Sequence, residues 1–258
     1  MGVLTDAQRI AFESNGYLIL HDVLSADELA KVRAAANRAE DRWRADLSLP
    51  GYREWPFEEI DAIMEYDDVL FDLVEHPQVF PYVHEVLGPD VQLIDHAYYM
   101  TGRDGALNGS AWHTDLGNRI HGIYRPRSTL MVRAIFALED IGARSGPTLV
   151  LPGSHRYPDD FDLPQVSDPV EMPGSVALEC AAGSAYIYNG NLLHAPSTNR
   201  SNVTRRVLLF NYGHRWMRMW RGHGPSAALI AKAGTPMRQQ LIGQWRAYYG
   251  TNAPLSTA

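Results

Sequence analysis

The chain has 258 residues, 45% hydrophobic and 10% aromatic, an ordinary composition for a globular protein with a substantial core. A formal charge of −7 argues against nucleic acid or an anionic membrane surface as the main partner. The single cysteine, Cys180, rules out an intrachain disulfide, and no apolar run approaches the ~18 residues of a membrane span.

The opening MGVLTDAQRIAFESNG lacks a basic stretch followed by an apolar one, so no export signal is expected. The expected compartment is the cytoplasm, with Cys180 a small buried hydrophobe and the sequons at Asn108, Asn199 and Asn202 unmodified. Thr5-Asp6-Ala7-Gln8 and Ser25-Ala26-Asp27-Glu28 have capping-box spacing and each predicts a helix start. The first helix stops near Gly16, and Tyr17–Leu20 reads as a short buried strand. The second helix carries Leu29, Val32 and Ala36 at helical spacing and extends to the Arg44 region. Residues 45–65 hold Pro, Gly and Trp without a period and predict a loop. A further helix is expected over Val79–Leu87, with Pro81 in its first turn and Gly88-Pro89 as its stop.

From residue 91 the pattern becomes β-rich. The predicted runs are Val91–Met100, Ser110–Asp115, Leu130–Leu138, Thr148–Leu151, Ser175–Leu178, Ser184–Tyr188 and Arg206–Gly213, separated by turn residues. This predicts a mainly β protein with flanking helices, built on a double-stranded β-helix (jelly roll) core of cupin-like type. A single domain over 1–258 is expected: 1–90 a mostly helical flank, 91–215 the core, 216–258 a helical tail with an amphipathic helix from Met237 to Tyr249. Residues 155–174, rich in Pro and Asp, predict a mobile flap over a site mouth.

Trp112-His113-Thr114-Asp115 carries the chemistry. In a strand, His113 and Asp115 share a face and can grip one ion together. Of the ten histidines only His113 has Asp two positions on. Alone, such a pair is weak evidence, since a strand His beside a solvated Asp is the commoner case. Two downstream residues strengthen it: His194, at a strand end beyond a turn at Gly190, and Arg205 at the head of another strand. Two imidazoles and one carboxylate form the ligand set of non-heme Fe(II) oxygenases, which leaves positions open. Two of these suit the keto oxygen and neighbouring carboxylate of 2-oxoglutarate, and the third suits O2. The far carboxylate of that cosubstrate needs a planar cation, which arginine supplies. Of Arg205 and Arg206, alternation sends one inward, and Arg205 is taken as that one. Retention of Asp115 argues against a halogenase, in which the carboxylate gives way to a chloride position. The alternatives are a cupin-type metalloenzyme without 2-oxoglutarate, whose H-x-H…E pattern is absent, and a non-catalytic metal-binding homologue.

The chain resembles the phytanoyl-CoA dioxygenase family of Fe(II)/2-oxoglutarate oxygenases. The resemblance rests on the F-x-x-x-G-Y opening (Phe12 to Leu20), Trp112–Asp115, the Ser145-Gly146-Pro147…Pro152-Gly153-Ser154-His155 segment, and His194…Asn199-Arg200-Ser201…Arg205. It implies that His113, Asp115 and His194 are the iron ligands and Arg205 the 2-oxoglutarate anchor. Family members commonly place Ser two residues after the distal His. Pro196 stands there in this chain, so Ser197 or Thr198 is expected to substitute only if the turn is reshaped. His155 is expected to be structural. Substrate contacts are expected from Tyr99, Arg127 and Trp216, within a mouth that also includes Tyr98, Arg103, Arg119, His121, Tyr124, Arg125 and Trp220. The implied function is hydroxylation or oxidative cyclisation of a small molecule, a secondary metabolite that is polar or glycosylated, with release of succinate and CO2. The oligomeric state is left open.

Overall fold

The computed structural model describes residues 3–106, 112–116, 129–158, 161–220 and 224–244. Both capping boxes form as read: Thr5 opens α1 (Asp6–Asn15), Ser25 opens α2 (Ala26–Ala45), and in each the N3 side chain returns to the cap backbone. Gly16 closes α1 in a left-handed conformation (φ 84°) and leads into β1 (Tyr17–Leu20). The segment read as a loop instead holds the hairpin β2 (Gly51–Glu54) and β3 (Phe57–Asp61). Its period is hidden because β3 is buried throughout, with Glu58 neutralised by Arg44 at hydrogen-bond distance. Then come α3 (Asp68–Asp72), α4 (Phe80–Leu87), β4 (Val91–Thr101), β5 (Met131–Ala137), β6 (Thr148–Val150), β7 (Val176–Ala177), β8 (Ala185–Asn189), β9 (His194–Pro196), β10 (Arg205–His214), α5 (Ala227–Lys232) and α6 (Pro236–Leu241). Of the helix expected from Met237 to Tyr249, α6 ends at Leu241 and Gly243 has φ 84°, while residues 245–249 lie outside the described residues.

The strands form an antiparallel seven-stranded sheet, β1-β8-β5-β10-β4-β3-β2, facing a three-stranded sheet, β7-β6-β9. Strands β1, β2 and β3 come from the first 90 residues, so the flank contributes to the sheet as well as to the helices. This is a jelly roll with helices on one side. Alternation divides the large sheet. Val132, Ala134, Phe136, Leu208, Phe210 and Tyr212 pack toward the helices, whereas Ile135, Val207, Leu209, Tyr186 and Tyr188 pack toward the small sheet. Tyr98 is fully buried on the helix face and so does not belong to a site mouth, while its neighbour Tyr99 faces the small sheet. A bulge in the β4–β10 pairing at Asn211/Tyr212 resets the register at the end of these strands. Among the described residues no helix is long and apolar enough to cross a membrane.

The two most distinctive motifs support one another. His155 Nε2 lies 3.1 Å from the carbonyl of Glu13, and the amide of Gly153 donates to the carbonyl of Asn15 (3.0 Å). A Cβ on Gly16 would meet His155 Nδ1 at 2.6 Å and Leu192 Cδ1 at 2.8 Å. His155 is therefore a structural residue, as expected. Gly16→Ala combines a left-handed backbone with overpacking and is expected to cost about 2–4 kcal/mol. A thermal melt should register this as a Tm lower by on the order of 10 °C.

Candidate metal centre

The segment that carries His113 and Asp115 is not a full strand. Its described part, residues 112–116, is tied to the β9 region by an isolated bridge, with His113 and His194 exchanging both backbone hydrogen bonds (3.0 and 2.9 Å). The Asp115 amide donates to the Gly190 carbonyl at 3.0 Å, and Gly190 lies in the turn closed by the Leu192 amide on the Asn189 carbonyl (2.8 Å), ahead of the distal histidine. Ser154 of the Pro-Gly-Ser-His segment accepts from the Leu193 amide (2.9 Å), so that segment holds the backbone next to His194. Trp112 donates from its indole to the carbonyl of Pro169 (3.2 Å), which sets part of the 155–174 segment beside the histidines.

This scaffold brings the three side chains together. One ligand atom from each of His113, Asp115 and His194 lies within 4.8 Å of the others. His194 Nε2 is 3.7 Å from Asp115 Oδ1, and the two imidazole centroids are 4.3 Å apart. His194 Nδ1 contacts the Leu192 carbonyl at 2.9 Å and can only donate there, which leaves Nε2 as a bare lone pair. Burial pushes the His194 pKa down to about 4, against an opposing pull from Asp115, so the ring is neutral near pH 7. Both His194 Nε2 and Asp115 Oδ2 are buried with no hydrogen-bond partner. Orphaned donor atoms in such a place are expensive unless something binds them, and a divalent cation fits this lone-pair set.

A pocket extends from the triad between the sheets. Its lining includes His113, His194, Tyr99, Arg133, Thr148, Ser197 and Arg205, with Phe57, Ile135, Val207 and Leu209 as apolar walls. Arg205 is the inward member of its pair, buried and bonded to the hydroxyls of Tyr186 (3.0 Å) and Thr148 (3.4 Å). Arg206 turns the other way and meets Glu139 at 3.8 Å. Among the described residues no carboxylate lies within salt-bridge distance of Arg205, and its Nε has no partner. It is a buried cation in want of an anion.

Ser197 reaches the pocket, yet its hydroxyl donates to the Pro147 carbonyl at 2.6 Å. Its proton is therefore committed, and the hydroxyls placed on Arg205 are those of Thr148 and Tyr186, themselves 3.0 Å apart. Neither was legible from spacing. A third feature missed in the sequence is Arg133, on β5, whose Nη2 is 2.7 Å from Asp115 Oδ1. The detectable signal would have been one charge inside the otherwise apolar strand Met131–Ala137.

Of the expected substrate contacts, Tyr99 lines this pocket together with Thr148 and Arg205. Trp216 is 61% exposed and stacks on His214 (centroids 6.0 Å apart, planes within 6°). Trp220 packs against an apolar cluster of Ile94, Met131 and Leu116, the last of which directly follows Asp115 in the chain. Arg103 is exposed and pairs with Asp104 at 3.6 Å. Arg127, with Arg119, His121, Tyr124 and Arg125, lies outside the described residues.

The family model described as phytanoyl-CoA dioxygenase matches residues 12–207. The chain is 26% identical to the ectoine dioxygenase of Nocardia farcinica, over 81% of this chain and 78% of that protein. Among solved structures it is similar to HygX from Streptomyces hygroscopicus with nickel, 2-oxoglutarate and hygromycin B bound. That match has a TM-score of 0.69 and 19% identity, covering 84% of this chain and 90% of the other. It is also similar to SnoK, a non-heme alpha ketoglutarate dependent carbocyclase from nogalamycin biosynthesis, with a TM-score of 0.65, 17% identity, and 83% and 85% coverage. At those identities the two structures speak for the fold.

Proposed function

The chain belongs to the phytanoyl-CoA dioxygenase family and is an Fe(II)- and 2-oxoglutarate-dependent dioxygenase; from that premise we propose which residues carry the reaction and what it acts on. His113, Asp115 and His194 hold the iron, and Arg205 receives the distal carboxylate of 2-oxoglutarate. The observation that carries this assignment is the pairing, along one pocket, of partnerless His194 Nε2 and Asp115 Oδ2 with a buried guanidinium that has no counter-ion among the described residues.

Iron held by His113, Asp115 and His194 would supply activation of O2 for oxidation of the substrate, with 2-oxoglutarate giving succinate and CO2. The protein's share is geometric and electrostatic. Leu192 fixes the tautomer of His194 through its carbonyl. Arg205, braced by Tyr186 and Thr148, fixes where the diacid ends and hence where its keto end lies. Phe57, Ile135, Val207 and Leu209 keep water from the space between.

The substrate in this reading is a polar, sugar-containing secondary metabolite that is hydroxylated or oxidatively cyclised. Support comes from the aromatic surface at Trp216 and from the fold shared with proteins whose ligand is hygromycin B or whose role is in nogalamycin biosynthesis. A cytoplasmic location is part of the same reading and suits the single buried Cys180. The test is succinate release under air with Fe(II), ascorbate and 2-oxoglutarate, first without substrate and then across a panel of aminoglycosides, glycosylated polyketides, ectoine and phytanoyl-CoA. A slow basal rate should rise with a glycosylated member of the panel. A rise with ectoine or phytanoyl-CoA alone would overturn the substrate class.

A further inference from the structure

Arg133 is a buried charge with all three guanidinium nitrogens engaged. It is buried in the middle of β5, and its register partners are Asn211 on β10 and Tyr188 on β8. Its Nε donates to Asn211 Oδ1 (2.7 Å), its Nη1 to the Tyr188 hydroxyl (3.1 Å) and its Nη2 to Asp115 Oδ1 (2.7 Å). Asn211 in turn donates to Asp95 Oδ2 at 3.2 Å. Burial alone would favour the neutral guanidine, but the Asp115 carboxylate together with Tyr188 and Tyr99 outweighs it and the group stays charged. Each nitrogen of the fork is thus held by a different structural element, and this fixes the guanidinium relative to the triad.

The consequence falls on Asp115. One of its oxygens is occupied by Arg133, while the other, Oδ2, is buried without a partner. A carboxylate free at both oxygens can chelate a metal with both. On a six-coordinate ion that would fill one of the three positions left by a two-histidine, one-carboxylate set. Those three are all required, two for the 2-oxo acid and one for O2.

We propose that Arg133 is a positioning residue that restricts Asp115 to one-oxygen ligation and so keeps the third open position on the metal available for cosubstrate chemistry. The proposal rests on the assignment of the triad as the metal site. It makes a division that a merely structural residue would not: cosubstrate binding should depend on Arg133 far more than metal binding does.

The experiment compares the unmodified protein with Arg133→Gln and Tyr188→Phe, each checked by thermal melt. Mn(II) affinity is measured by calorimetry. Affinity of 2-oxoglutarate for the Fe(II)-loaded protein is measured anaerobically from the visible charge-transfer absorbance of the chelated 2-oxo acid. Arg133→Gln is expected to weaken 2-oxoglutarate binding by about tenfold to a hundredfold, whereas Mn(II) affinity moves by less than about threefold because lost orientation and lost charge repulsion oppose each other. Tyr188→Phe, which removes one tether and keeps the ring, should give a smaller loss of the same kind and carries the test if Arg133→Gln does not fold. Unchanged 2-oxoglutarate affinity in a folded variant, or metal and cosubstrate affinity falling in parallel, would overturn the proposal. No charge-transfer band in the unmodified protein would instead sink the metal-site assignment beneath it.

Discussion

Asp115→Asn is expected to lower Mn(II) or Fe(II) affinity by roughly a hundredfold or more and to abolish succinate formation, while the protein stays folded. The amide keeps the shape of the carboxylate, and its carbonyl still accepts from Arg133 Nη2, now 2.7 Å from Asp115 Oδ1. What it loses is the negative charge and the anionic oxygen that the ion needs. Asp115→Ala should behave differently. It strips both the charge and the hydrogen-bond acceptor from a buried guanidinium and should destabilise the fold by about 3–5 kcal/mol in addition to removing the ligand. Both variants remove the charge and differ in whether an acceptor for Arg133 remains, so calorimetric metal binding should fall in both and Tm should fall further in Asp115→Ala. Undiminished Mn(II) affinity in Asp115→Asn would leave the site without its anionic ligand and end the assignment.

What could be read in advance follows from how local the determining interaction is. Thr5 with Gln8 and Ser25 with Glu28 close their bonds within one turn, so both helix starts are legible in a handful of residues. The same holds for His113 and Asp115, two positions apart, whereas alternation separates Arg205 from Arg206 without saying which of them faces inward. The hairpin β2–β3 was hidden because its charged residues are buried: Glu58 is 6% exposed, and its partner Arg44 lies on α2, so local composition suggested solvent. Arg133, Asn211 and Tyr188 sit on three strands and meet only through register. Thr148 and Tyr186 converge on Arg205 by the same route. The partner of the Ser197 hydroxyl is equally non-local, the carbonyl of Pro147 fifty residues upstream. Tyr98 and Tyr99 show the limit plainly: adjacent residues of one type face opposite sides of the sheet, and only tertiary packing says which side holds the pocket.

Arg205→Met should raise or leave unchanged the Tm of the protein without ligand, while removing the stabilisation that 2-oxoglutarate confers on the Mn(II)-loaded form. The opposite signs follow from the site. Arg205 is buried beside neutral hydroxyls with no carboxylate in reach among the described residues, so in the absence of cosubstrate it carries a desolvation cost that a methionine avoids. Once a diacid binds, that same charge is satisfied, and its loss should weaken 2-oxoglutarate binding by about 2–5 kcal/mol, on the order of a hundredfold or more. Binding shifts Tm in proportion to the logarithm of ligand over Kd, so a titration of Tm against 2-oxoglutarate reads the effect without any turnover. The hydroxyls give an internal comparison. Thr148→Val removes a group that lines the pocket and contacts the guanidinium, and should weaken 2-oxoglutarate by about tenfold, in line with one hydrogen bond to a charged group. Ser197→Ala removes a hydroxyl already spent on Pro147 and should leave the titration curve nearly in place. A large loss in Ser197→Ala with none in Thr148→Val would mean that the turn after His194 reshapes on binding and that the usual serine contact has moved one residue along the chain.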